Sequence, residues 1–103
     1  MRLLTDEQAK NLPPLYATEK IARNDKIVKI KFFTPDSSWS WYAVEYDKDE
    51  KIFFGYVNGH YPEWGYFSLE ELEQTKGPLG LHIERDIHFK EQPFGQIKEL
   101  QWI

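Results

Sequence analysis

The sequence predicts an α+β fold, a mainly antiparallel sheet of four or five strands run as a meander, with two short helices. Three observations carry this. Between residues 27 and 57 apolar side chains alternate with polar or aromatic ones in runs of strand length, the period-two pattern of a sheet. Short polar turns separate these runs, which makes successive strands antiparallel neighbours. Two further stretches carry Ser/Thr caps and end near proline or glycine, as short helices do.

The first helix starts at Thr5, with Gln8 at capping-box spacing and Asp6 and Glu7 in its first turn, where the helix dipole favours acids. Pro13-Pro14 stops it. Residues 15–26 read as a second helical turn or a loop. Residues 27–33 read as one strand with Val28, Ile30 and Phe32 on a common face. Thr34 to Ser38 is turn chemistry. Residues 39–46 give a second strand in which Trp39, Trp41, Ala43 and Glu45 alternate with Ser40, Tyr42, Val44 and Tyr46. After the charged turn Asp47 to Glu50, residues 52–57 form a third strand, apolar on both faces and therefore interior. Asn58-Gly59 turns the chain, and residues 60–67 read as a loop. Ser68 and Glu71 cap a second helix, with Leu69 and Leu72 as its apolar stripe and Gly77-Pro78 beyond its end. A last strand is expected over residues 82–89, broken by Gln92-Pro93. The tail from Gly95 reads as a short edge strand or helix closed by Trp102 and Ile103.

Composition narrows the chemistry. Length fits one domain over residues 1–103. With no cysteine, a disulfide scaffold, a thiolate zinc site and a cysteine nucleophile are excluded. No apolar run approaches a membrane span and no signal peptide opens the chain, so the expectation is a cytoplasmic protein with no membrane contact. The net charge of -4 is opposite to the basic footprint of most DNA binders. The local exception is the row Lys20, Arg23, Lys26, Lys29 and Lys31. Serines lack a nucleophile-elbow setting, and no glycine loop cradles a phosphate. No catalytic residue and no cofactor are assigned.

The order of these segments resembles a small bacterial family known as domain of unknown function 2958. The matching pieces are Leu3-Leu4-Thr5, Val28-Lys29-Ile30 running into Phe33-Thr34-Pro35, Trp39 or Trp41 with Glu45 downstream, and Phe54-Gly55. They continue with Pro62-Glu63-Trp64-Gly65-Tyr66, Ser68-Leu69-Glu70-Glu71-Leu72 and Ile83-Glu84-Arg85-Asp86. Trp64 stands where the family often has leucine or a small residue. The resemblance implies a setting on a mobile genetic element such as a plasmid and brings no established activity.

Three constellations are candidates. His82, Glu84, Asp86 and His88 share a parity, so a strand over 82–89 would put two imidazoles and two carboxylates on one face, with His60 and Glu63 as further metal ligands. Alternation alone demands polar residues there, so a solvent face is the preferred reading. Arg85 falls on the opposite parity and needs a partner if buried; Glu45 or Glu63 would serve, as a structural bridge rather than an anion clamp. The segment Gly59 to Phe67 concentrates Tyr61, Trp64, Tyr66 and Phe67, ring types enriched at interface centres and able to stack on bases. Trp39 and Trp41 are expected to extend that surface, with Lys29 and Lys31 beside them.

The functional expectation is a non-catalytic accessory protein of a mobile element. It would bind another protein through the aromatic segment, using Trp39, Trp41, Tyr61, Glu63, Trp64, Tyr66, Lys29, Lys31 and Arg85. The alternatives are nucleic-acid binding through the lysine and aromatic patch, and a metal-assisted hydrolase on the His82 to His88 face.

Overall fold

The computed structural model describes residues 2–101. Helix α1 (Asp6–Asn11) opens the chain, with Thr5 and Gln8 closing the expected reciprocal cap. Strands β1 (Ile27–Val28), β2 (Ile30–Phe33), β3 (Ser40–Asp47), β4 (Ile52–Asn58) and β5 (Glu63–Ser68) follow. Then come α2 (Leu69–Gln74), whose Ser68 cap accepts the Glu71 amide, and the short strands β6 (Glu84–Arg85) and β7 (Gln92–Pro93). The main sheet has the order β5-β4-β3-β2-β6, antiparallel throughout, and β1 pairs with β7 as a separate two-stranded sheet. Four strands thus form a meander, and β6 returns to the free edge of β2. This is the α+β architecture expected, and β4 lies inside the sheet as its two apolar faces require.

Both sheet faces are covered. On one, Ile30, Phe32, Trp41, Phe53 and Phe67 pack beneath Leu3, Leu4, Leu12 and Leu72 from the N-terminal segment and α2. This helix-side core is aromatic at its centre, where Phe53 meets Phe32, Tyr46 and Phe67 at ring separations of 5.5, 4.6 and 5.2 Å. On the other face Val28, Tyr42 and Val44 pack on Ile97, flanked by Tyr56, Trp64, Phe89 and Phe94. The tail expected to be an edge strand or helix instead makes two 3-10 turns, Phe94–Gln96 and Lys98–Leu100, laid across this second face. Trp102 and Ile103 lie outside the described residues.

Four local departures from the alternation pattern matter for the site. The expected strand over 27–33 breaks at Lys29, whose amide bonds Ala43 O at 2.9 Å; Val28 is thereby delivered to the tail-side core while Ile30 and Phe32 stay on the helix side. A bulge at Val44 shifts the β3–β4 register, with Ala43 opposite Gly55 and Glu45 opposite Phe54. An extra residue turns every later side chain over. Glu45 therefore leaves the Trp41 face and joins Phe54 on the tail side, while Tyr46 enters the helix-side core. Gly55 sits beside the bulge, where a Cβ would come within 1.9 Å of the Tyr42 carbonyl oxygen, so only glycine permits this approach of the strands. The segment expected to be a loop over 60–67 is largely strand β5, zipped to β4 from Val57–Glu63 to Ile52–Ser68. Finally, the strand expected over 82–89 shrinks to Glu84–Arg85, because Asp86 turns the chain by accepting the His88 amide at 2.9 Å.

Candidate functional site

The sequence-predicted aromatic surface divides between the two faces. Trp41 is buried in the helix-side core, and Trp39 packs against it with ring centroids 5.9 Å apart. His60 meets Trp39 edge-on at 5.2 Å. Trp64 and Tyr66 point the other way, opposite Tyr56 and Phe54 in the β4–β5 register. Trp39 and Trp41 therefore do not extend the surface of Trp64, as alternation had suggested. Trp64 is itself half-buried, stacked on Phe54 at 5.8 Å and tilted against Phe94 at 4.7 Å. Its outer side carries the Arg23 guanidinium at 5.9 Å, a cation–π contact. The most exposed rings of the segment are Tyr66, 56% exposed, and Tyr61, 83% exposed. Glu63 is exposed at the start of β5.

The lysines are largely engaged. Lys29 lies 3.5 Å from Glu91. Lys31 lies 3.8 Å from Asp86, pairs with Glu99 and sits over the Tyr42 ring at 5.7 Å. Tyr42, almost fully buried, also donates to Glu99 at 2.6 Å. Burial and that carboxylate push its hydroxyl above the ordinary tyrosine range. Lys26 is buried. The expected basic row is thus partly core and partly paired.

Arg85 donates to the carbonyl oxygens of Arg2 at 2.9 Å and Leu3 at 2.8 Å, strapping the N-terminal segment to β6. The expected bridge to Glu45 is not formed by this geometry, since the bulge has moved Glu45 to the other side of the sheet. His82, Glu84, Asp86 and His88 do not share a strand face, because only Glu84 of the four lies in β6. Among the described residues no group of three or more His, Cys, Asp or Glu side chains is placed to hold a metal ion.

The site that the fold does build centres on Glu45. It is 3% exposed, and its carboxylate accepts the amides of Tyr16 at 2.8 Å and Thr18 at 2.9 Å, and the Thr18 hydroxyl. Lys26 donates to the Thr18 carbonyl and, at 3.0 Å, to its hydroxyl. A buried acid, a hydroxyl and a buried amine therefore fasten residues 16–26 onto the sheet. Burying such polar groups is tolerated only when donors and acceptors are matched, and here each meets more than one partner. Tyr16, held by its amide, has φ of 72°, a left-handed conformation that costs a non-glycine residue roughly 1–2 kcal/mol.

This fastening leaves a groove of about 500 Å³ between the segment and the β4–β5 hairpin, bordered by Tyr16, Glu19, Arg23, Phe54 and Tyr66 with Glu45 at its floor. Phe54 and Tyr66 rings stand 5.2 Å apart. The Tyr66 hydroxyl is raised above the usual tyrosine range by partial loss of water, by its hydrogen bond with the Tyr16 side chain, and by the negative charges of Glu45 and Glu19. A second groove of about 650 Å³ lies on the other side of Tyr16, between Leu12, Pro14 and the β3–β4 turn. The Tyr66 side of this site was visible in the sequence. Glu45, Thr18, Lys26 and Tyr16 were not read as a unit, because nothing local signals the bulge that brings them together.

Among the described residues no helix is long and apolar enough to cross a membrane. Comparison with curated proteins and with solved structures gives no significant match. The sequence profile of one family does match, over residues 3–96, spanning the sheet, both helices and the whole Glu45 network. The chain belongs to the family described as protein of unknown function (DUF2958).

Proposed function

We propose that this chain is a non-catalytic accessory protein of a mobile genetic element, working in the cytoplasm by binding another protein on the tail-side face around Tyr66. One observation carries the reading. β5 is an end strand of the sheet, and its Trp64–Tyr66 side borders the groove floored by Glu45. An end strand offers a row of backbone donors and acceptors to an added strand, while adjacent pockets take alternate side chains and supply selectivity. Tyr66 and Tyr61 add exposed rings of the type that dominates interface energies. The mobile-element setting rests on the family resemblance.

The experiment is affinity capture from cells carrying the native element, comparing the wild type with Tyr66→Ala. Tyr66 is exposed enough to be removed without opening the core. Loss of one defined partner, with near-ultraviolet circular dichroism unchanged, is the expected result. Equal recovery by Tyr66→Ala and by Trp64→Ala would remove this face from the function.

A further inference from the structure

Resting on the reading of β5 as a pairing edge, we propose that the strand added there is β5 of a second copy of this chain, antiparallel about a two-fold axis at Gly65. The two copies then share one continuous sheet. The partner protein meets the rings and groove of the tail-side face rather than the backbone edge.

The hydrogen-bond phase of β5 selects this pairing. The Leu69 amide bonds the Lys51 carbonyl at 3.0 Å, one step beyond the Ile52–Ser68 pair. Opposed residues of an antiparallel ladder alternate between bonded and non-bonded pairs. Phe53–Phe67, Gly55–Gly65 and Val57–Glu63 are therefore the bonded pairs, and the amides and carbonyls of Trp64 and Tyr66 point away from β4. Among the described residues no backbone hydrogen bond from another segment reaches these groups. With the axis at Gly65, Trp64 of each copy faces Tyr66 of the other, and all of these groups find partners. Moving the axis to Tyr66 would instead set Trp64 against Ser68, where α2 begins. Pro62, which has no amide to give, ends the ladder.

The side chains agree with that phase. Opposed residues share a face, so Trp64 of one copy stands beside Tyr66 of the other on the tail side. This continues the arrangement inside the chain, where Tyr56 faces Trp64 and Phe54 faces Tyr66 at ring separations of 5.7 and 5.2 Å. Cross-strand aromatic pairs of this kind stabilise sheets. On the helix side Glu63, the one charged residue of β5, faces Phe67, so no charge meets its like.

Gly65 supplies the independent observation. A Cβ there would meet nothing within 4 Å, and its φ is not positive. Nothing inside the chain calls for a glycine, which weakens a strand interior. Close approach of another backbone does call for one, and at the axis the two Gly65 residues form a non-bonded pair, the closer of the two kinds. The edge is also unguarded. Strand β5 contains no lysine, proline or bulge, the devices that blunt exposed strands, whereas β6 at the other end of the sheet is two residues long.

Sedimentation equilibrium of the full chain should give a mass that rises with concentration from 12.3 kDa toward twice that value. Over the same range, hydrogen exchange should slow at the Trp64 and Tyr66 amides and stay unchanged at the Gly65 amide, which β4 already holds. Gly65→Lys and Gly65→Glu each set like charges against each other at the axis. Either alone should associate about fivefold more weakly, with its melting temperature in dilute solution unchanged because the position is open. An equal mixture of the two should associate again, since lysine then faces glutamate. A monomer at every concentration overturns the dimer, and so does a dimer that both variants keep, which assigns it to another surface. If the variants fold poorly, the exchange pattern of the wild type decides. A monomer that loses partner capture on Tyr66→Ala overturns the dimer and leaves the binding face standing. A Gly65-centred dimer with capture untouched by Tyr66→Ala and Trp64→Ala upholds the pairing and removes that face from the function.

Discussion

The two faces of the sheet are closed in opposite ways. On the helix side, α1, α2 and the N-terminal leucines cover the sheet with apolar contacts. On the tail side the cover is irregular chain, held by charged and polar anchors: Glu45 with Thr18 and Lys26 at one end, Glu99 with Tyr42 and Lys31 at the other. Apolar burial is non-directional and scales with area, so it closes a face without shaping it. Hydrogen bonds to buried charge fix position and direction, which is how loop segments can be held while leaving a groove between them. Grooves open on both sides, beside Leu12 and Pro14 on the helix side and over Glu45 on the tail side, and only the second is framed by polar anchors.

Mutations can break that contrast, beginning at the helix side. Phe53→Ala empties the centre of the aromatic core and should cost about 3–5 kcal/mol, a large part of a small domain's total stability; urea unfolding measures it. Glu45→Ala should cost less, about 3 kcal/mol, because it strands the Tyr16 and Thr18 amides and the Thr18 hydroxyl. Its signature is local: faster hydrogen exchange at the Tyr16 and Thr18 amides, with the helix-side core protected. Uniform loss of protection would show that the two faces are not separable.

The tail anchor comes next. Glu99→Ala leaves the Tyr42 hydroxyl buried without that acceptor and should cost about 1 kcal/mol. The same pair gives a pH test. Tyr42 in the folded chain ionises above its ordinary value of 10.0, held there by burial and Glu99. The unfolded chain releases that proton near 10 and the folded chain does not. Its contribution is therefore complete below that pH and is lost as pH rises beyond it. Tyr42→Phe should flatten the alkaline fall in stability; an unchanged slope would assign the fall to other groups. The smallest effect is expected at the partly exposed Lys29–Glu91 pair, where Lys29→Ala should cost less than about 0.5 kcal/mol.

How much of this was legible follows from where the information lies. The meander, both helix caps and the interior place of β4 are local patterns, and Thr5, Ser68 and the alternation in residues 52–57 announce them. Strand β5 was hidden because Pro62, Gly65 and four rings between residues 59 and 67 resemble a loop, while its pairing with β4 is a tertiary fact. The 82–89 alternation was real but short-lived, since the Asp86 carboxylate captured the His88 amide and ended the strand. At the site, Tyr66 and Trp64 could be named from their type. The grouping of Glu45 with Tyr16, Thr18 and Lys26 could not, because it depends on register.

The bulge at Val44 has a consequence for how such a site can be gained or lost. Side-chain direction along β3 is read in steps of two, so one added residue acts like a shift of reading frame. No exchange of one amino acid for another reproduces it gradually. Deleting Val44 would restore the simple alternation with Glu45 and Tyr46 on their present faces, at the loss of Val44 from the tail-side core, whereas closing the bulge with Val44 kept in line would turn Glu45 toward the helix-side core. The place of the buried acid is thus set by how the strand absorbs its extra residue as much as by the identity of residue 45.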